Sequence, residues 1–86
     1  MEMTEHTSEY GTTQIVIKDS GINDRKVLLT RFKGERTWAV RGFQFVHWAN
    51  EWSQALTLHD GNKEQFIKSR AIEIAERWIQ TGWMYH

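Results

Sequence analysis

The chain contains no cysteine, which excludes a disulfide framework and a thiolate-bound zinc, two devices that often hold together a domain of this size. It has no apolar run long enough to cross a bilayer. Its first residues, Met1-Glu2-Met3-Thr4-Glu5-His6, lack the basic stretch and apolar core of a secretory leader. A cytoplasmic location with no membrane partner is the expectation. Net charge is missing too: 11 Lys and Arg balance 11 Asp and Glu, which argues against whole-surface attraction to nucleic acid. There is no internal repeat, phosphate-cradling glycine loop, nucleophile elbow or cofactor motif, so no cofactor is expected.

Aromatic residues, by contrast, are plentiful: five Trp, four Phe and two Tyr among 86 residues. A domain this small buries only about 60% of the surface its unfolded chain exposes. Packing of large rings, each worth roughly 150–250 Å² of buried surface, must therefore do the stapling. The charge is also unevenly spread. Lys18, Arg25, Lys26, Arg31, Lys33, Arg36 and Arg41 face only Asp19, Asp24 and Glu35 between residues 14 and 42. A basic middle is hidden inside a neutral total.

Residues 1–12 are polar and poor in aliphatics, and read as a flexible N-terminal arm ahead of a single α+β domain over 13–86. Ile15-Val16-Ile17 is a β-branched run closed by Asp19-Ser20-Gly21, and predicts a strand. Residues 25–32 and 36–41 predict two more, joined by a turn at Lys33-Gly34-Glu35. From Phe43 onward Phe45, Trp48, Ala49, Trp52 and Leu56 recur at helical spacing, which predicts a helix over about 44–56. The same stretch is aromatic and β-branched enough to form a fourth and fifth strand with a turn near Ala49-Asn50-Glu51.

The last element carries the fullest set of signals. Asn62 and Gln65 resemble a capping box, and Phe66, Ile67, Ala71, Ile74, Ala75, Trp78 and Ile79 trace an apolar face over residues 63–81. Thr81-Gly82-Trp83 supplies a left-handed stop followed by an apolar contact. The expected fold is therefore α+β, a three-stranded antiparallel sheet followed by two helices packed on one face, in the order βββαα.

Side chains alternate across a strand, so the strands can be sorted into two faces. Ile15, Ile17, Leu28, Phe32, Trp38 and Val40 form the expected core face, with Trp52 and Trp78 turned toward it from the helices. The other face then carries Gln14, Val16, Lys18, Arg25, Val27, Leu29, Arg31, Lys33, Thr37, Ala39 and Arg41. Five cations around an aliphatic centre suit an acidic protein surface, a nucleic-acid backbone or a second copy of the chain. Solvation of an exposed sheet face would equally account for the cations. The expected set lacks the aromatic platforms on which single-stranded bases stack, which favours a protein partner. Trp48, Trp83 and Tyr85 have the character of interface anchors, and with Lys18, Arg25, Val27, Leu29, Arg31, Lys33, Arg36 and Arg41 they make up the expected partner-binding set.

Catalytic and metal chemistry find little footing. His47 and Glu51 sit four apart, but no third ligand follows at a metal-site spacing. His59-Asp60 is a general-base pair or, with Gly61, a turn. A metal-free nuclease combining His47 or His59 with Arg31 or Arg41 has no fixed constellation. No metal site and no enzyme are expected.

In layout, three antiparallel strands over residues 14–41 and then two helices ending at Gly82, the chain resembles small phage-encoded inhibitors of host defence, including some anti-CRISPR proteins. The order also resembles small DNA-binding modules of phage integrases. The resemblance implies a non-enzymatic interaction protein that sterically blocks a larger cytosolic protein or ribonucleoprotein complex. The alternative is a nucleic-acid-binding accessory module that uses the basic face. A homodimer is compatible with both, because a small chain with an aliphatic open face gains core by pairing.

Overall fold

A computed structural model describes residues 2–19, 24–58 and 67–82. Five strands run in chain order: β1 (Glu2–Thr7), β2 (Thr13–Lys18), β3 (Arg25–Arg31), β4 (Ala39–Val46) and β5 (Glu51–Leu58). A helix, α1 (Lys68–Thr81), follows them. The strands form one antiparallel sheet in the order β1-β2-β3-β4-β5. Each strand pairs with its neighbour in sequence, the simplest outcome when short turns join consecutive strands.

Three expectations are overturned. The sheet has five strands rather than three, and the stretch expected as a helix over 44–56 is the β4–β5 hairpin. Its turn is residues 47–50, where Ala49 N–H donates to Val46 O and Asn50 N–H to His47 O. Asn50 takes φ 53°, a left-handed conformation that Asn tolerates better than most residues. The aromatic spacing in this stretch satisfies both periods, and pairing with β3 selects the strand. A helix starting at 44 would take from Arg25, at the start of β3, its ladder partner Gln44, and from the Asp24 carbonyl the Phe45 N–H. Finally, residues 2–7, read from the sequence as part of an arm, form β1 and pair with β2 along its full length.

The second expected helix does form, although it begins at Lys68 with Ile67 as its N-cap. The Asn62–Gln65 capping box and Phe66 lie outside the described residues. The left-handed glycine expected at the C-terminal stop is present, with φ 78° at Gly82 and its N–H donating to Trp78 O at 2.8 Å, while the expected apolar contact of Trp83 lies outside the described residues. A Cβ at Gly82 would also come within 3.1 Å of the Arg25 guanidinium. The backbone conformation demands glycine there, and a side chain would in addition push the Arg25 guanidinium aside by a few tenths of an ångström.

One face of α1 is buried through Ala71, Ile74, Ala75, Trp78 and Ile79. It packs on Ile15 and Ile17 of β2, Val27 and Leu29 of β3, Val40 of β4 and the preceding Trp38. Its outer face is solvated and laced by charge: Lys68 reaches Glu5 at 2.9 Å, and Arg70 and Arg77 flank Glu73. These exposed pairs contribute about 1 kcal/mol each at most.

The face assignment of β3 is inverted relative to expectation. Val27-Leu28-Leu29 is apolar throughout and carries no alternation, so its phase comes from pairing rather than from its own residues. Ile17 lies opposite Val27 and Ile15 opposite Leu29, and these four close the core under the helix. Leu28 points the other way, and Phe32, expected inside, is 52% exposed beyond the end of the strand.

Candidate functional site

Residues directly opposite one another across an antiparallel ladder share a face, so the register maps the side of the sheet that α1 leaves uncovered. One row across it reads Glu2, Lys18, Lys26, Phe43 and Gln54, and the next Thr4, Val16, Leu28 and Arg41. Beyond the first row, toward the β4–β5 turn, Phe45 stands opposite Trp52. At the other end Thr30, between Gln14 and Ala39, is buried. The rest of this face is open as well, with Thr4, His6 and Gln14 exposed, and among the described residues no helix or strand packs over it; the aromatics gather in the half that carries Lys26.

This half is built around β4. Arg41, Phe43 and Phe45 alternate along the strand and so emerge on one side of it. Phe45 meets Trp52 edge-on, with ring centroids 5.3 Å apart and planes at 65°. The His47 ring meets the other side of Phe45 at 5.0 Å. The Lys26 ammonium sits 4.3 Å from the centroid of Trp52 and 5.6 Å from that of Phe43. Cation–π contact and aromatic geometry thus join β3, β4 and β5 into one surface.

Asp24 positions this surface by anchoring the start of β3 to the hairpin. Its carbonyl accepts the Phe45 N–H at 2.7 Å and the Gln44 Nε2 at 3.3 Å, while its carboxylate pairs with His47 Nε2. A register irregularity at Gly42/Phe43 breaks the β4–β5 ladder. There the Phe43 carbonyl takes a hydrogen bond from Trp78 Nε1 at 3.3 Å. The helix therefore supports the backbone of the surface from behind.

The residues expected to bind a partner do not form one surface. Val27 and Leu29 are completely buried beneath α1, because they are the core residues of β3. Arg25 and Arg31 lie on the helix side and Arg41 on the open side, since residues 25, 27, 29 and 31 share a face that excludes Arg41's partner Leu28. Arg31 covers Trp38 at 5.2 Å. Lys33 and Arg36 occupy the exposed β3–β4 loop, with Lys33 against the backbone of Gly11. Lys18 remains on the open face with Arg41. Trp48 is 91% exposed at the hairpin tip. Trp83 and Tyr85 lie outside the described residues, as does His59-Asp60.

Arg25 has a structural task. Its Nε donates to Gln44 Oε1 at 3.2 Å, its Nη1 to Ile79 O at 3.3 Å, and its guanidinium lies 6.0 Å from the Trp78 ring centroid. A cation against the carbonyl end of a helix is also favoured by the helix dipole. Arg25→Met, which keeps the stem and removes the donors, is expected to lower stability by about 1–3 kcal/mol in urea unfolding while leaving the open face intact.

Sequence reasoning missed Lys26, Phe43, Phe45 and Trp52. For Phe43 and Phe45 the signal was present as every-other-residue spacing with Arg41 and His47 in Arg41-Gly42-Phe43-Gln44-Phe45-Val46-His47, but it was masked by a helical period that uses Phe45, Trp48 and Trp52. His47 and Glu51, expected on one helical turn, lie in the hairpin turn and at the start of β5. Among the described residues no three His, Asp or Glu side chains converge to hold a metal ion, and no helix is long and apolar enough to cross a membrane.

Among the described residues the fold is thus a five-stranded antiparallel meander with one face closed by one helix, and the site is a cationic aromatic patch on the other. No protein-family model, curated protein or solved structure matches the chain. The three-strand, two-helix layout that carried the resemblance to phage inhibitors is not the layout of this fold.

Proposed function

We propose that this protein is a non-enzymatic module that binds single-stranded nucleic acid on the open face of its sheet. The observation that carries the reading is the row Arg41, Phe43 and Phe45 on one side of β4, with Trp52 across from Phe45 and Lys26 on the rings. Single-strand-binding sheets combine rings for base stacking with cations for the backbone. The residue order of β4, a basic residue and glycine, then two alternating aromatics followed by valine, is similar to that of base-stacking strands of RNA-binding sheets, except that Gln44 stands between the aromatics where those strands have Gly or Ala. The topology here is different, so the support comes from the local arrangement on the strand.

Magnitudes are consistent with a modest binder. Stacking on an aromatic side chain contributes about 1–3 kcal/mol per base, and Phe45 and Trp52 offer two such surfaces. Three cations, Lys18, Lys26 and Arg41, border them on this face. With about 0.7 counterions released per phosphate contact on a single strand, the slope of log K against log salt should be close to −2. Fluorescein-labelled (dT)8 followed by anisotropy should then bind about 15-fold more weakly at 200 mM than at 50 mM salt. A duplex of the same length, whose bases are already stacked, should bind less well. No anisotropy change with (dT)8 or (U)8 at 20 mM salt would reject the reading.

A protein partner is the second reading, and Trp48 favours it. A Trp 91% exposed at the tip of a tight hairpin has the character of an interface anchor. That reading retains steric blocking of a larger protein or ribonucleoprotein complex as its mechanism. It requires Trp48→Ala to abolish complex formation while Trp52→Ala leaves it unchanged, the reverse of the order expected for base stacking.

A further inference from the structure

Resting on the nucleic-acid reading, we infer that Lys26 is a displaceable cap on the Trp52 base seat, so that ring access is tied to the arrival of a phosphate. In the free protein the Lys26 ammonium lies 4.3 Å from the Trp52 centroid and 5.6 Å from the Phe43 centroid. That is the space a base stacking on Trp52 would occupy. Lys26 is half-buried, and its neighbour across the strand pair on one side is Lys18, on the other Phe43. Like charge at Lys18 gives its ammonium no reason to turn toward β2, and the ring faces provide its alternative.

A phosphodiester changes that balance. A flexible four-carbon stem carries a compact, strongly hydrated charge, and a phosphate offers a full negative charge where a ring offers only a quadrupole. Once the ammonium swings onto the backbone, the Trp52 face is free for the adjacent base. The swap selects the chemical class of ligand. Phosphodiester-linked bases open the seat, whereas a free nucleoside, a neutral-backbone oligomer or an apolar peptide must compete with the cation for the ring. Lys26 is in this sense a specificity-determining residue.

Two measurements on the full chain test this. The first is the NMR position of the Lys26 ε-methylene protons. Ring currents from Trp52 and Phe43 should shift them upfield in the free protein, and saturating (dT)8 should return them to the ordinary lysine position. The second compares wild type with Lys26→Met on (dT)8 and on its methylphosphonate analogue, which keeps the bases and lacks the charge. Lys26→Met should reduce the salt slope for (dT)8 by about 0.7 and bind the neutral analogue several-fold more tightly than wild type does. Lysine signals that stay upfield at saturation would overturn the inference and leave the nucleic-acid reading standing. So would a Met variant that loses both ligands equally, because Lys26 would then only brace the rings. Failure of wild type to bind (dT)8 at all would overturn both and return the surface to a protein partner.

Discussion

Replacing Phe45 and Trp52 together by alanine is expected to weaken binding of (dT)8 by roughly 30- to 700-fold, with the protein still folded. The range follows from losing two stacking surfaces, about 2–4 kcal/mol in all when each contributes about 1–2 kcal/mol. The fold should survive because neither ring is part of the core that α1 closes. Trp52 is 39% exposed and Phe45 half-buried on the far side of the sheet. Their mutual contact is a cross-strand pair, typically worth about 0.2–1 kcal/mol. Anisotropy titration measures the first quantity, and far-UV circular dichroism through a urea titration the second. Affinity within twofold of wild type would remove the aromatic patch as the binding surface.

Trp78→Ala has the largest expected effect on stability. Trp78 is 4% exposed in the core, its Nε1 donates to the Phe43 carbonyl, and its ring lies beneath the Arg25 guanidinium. Truncating a buried Trp costs about 3–5 kcal/mol through lost transfer energy and the cavity left behind. Stability of about 0.05–0.15 kcal/mol per residue is usual for a native domain, so a chain of 86 residues has little to spare. The urea midpoint should fall by at least 1 M, given slopes of about 1–3 kcal/mol per M for small proteins. Because Trp78 holds the backbone of Phe43 from behind, nucleic-acid affinity should fall with it. A midpoint unchanged from wild type would show that the helix is held by other contacts.

These two predictions divide the molecule along its sheet. One side is a closed apolar core, and the other an aromatic and cationic surface. Arg25 belongs wholly to the first, with its donors spent on Gln44 and on the helix end. Lys26, the next residue, belongs wholly to the second. Adjacent cations of similar sequence context thus serve opposite purposes, because successive strand residues face opposite ways.

Much of the core side was legible from the residues themselves. Ile15 and Ile17 lie in a β-branched run flanked by Gln14 and Lys18, Trp38 and Val40 lie between Thr37 and Arg41, and Ala71, Ile74, Ala75, Trp78 and Ile79 recur at a helical period that ends at a glycine. Each pattern is local, so the chain states it without help from distant residues. The open face was not legible in this way. Phe45, Trp48 and Trp52 fit a helix as well as a hairpin, and the left-handed Asn50 that resolves them is one residue in a turn.

Sequence by itself determined that α1 exists, that Gly82 stops it, that residues 14–18 and most of 25–32 are strands, and that no disulfide holds the fold. Only the tertiary structure decided which side of β3 is inside, and hence which cations share a surface. The reason is that alternation within a strand is relative. An unbroken run such as Val27-Leu28-Leu29 can turn either face inward until pairing with Ile15 and Ile17, and the helix laid over them, chooses one.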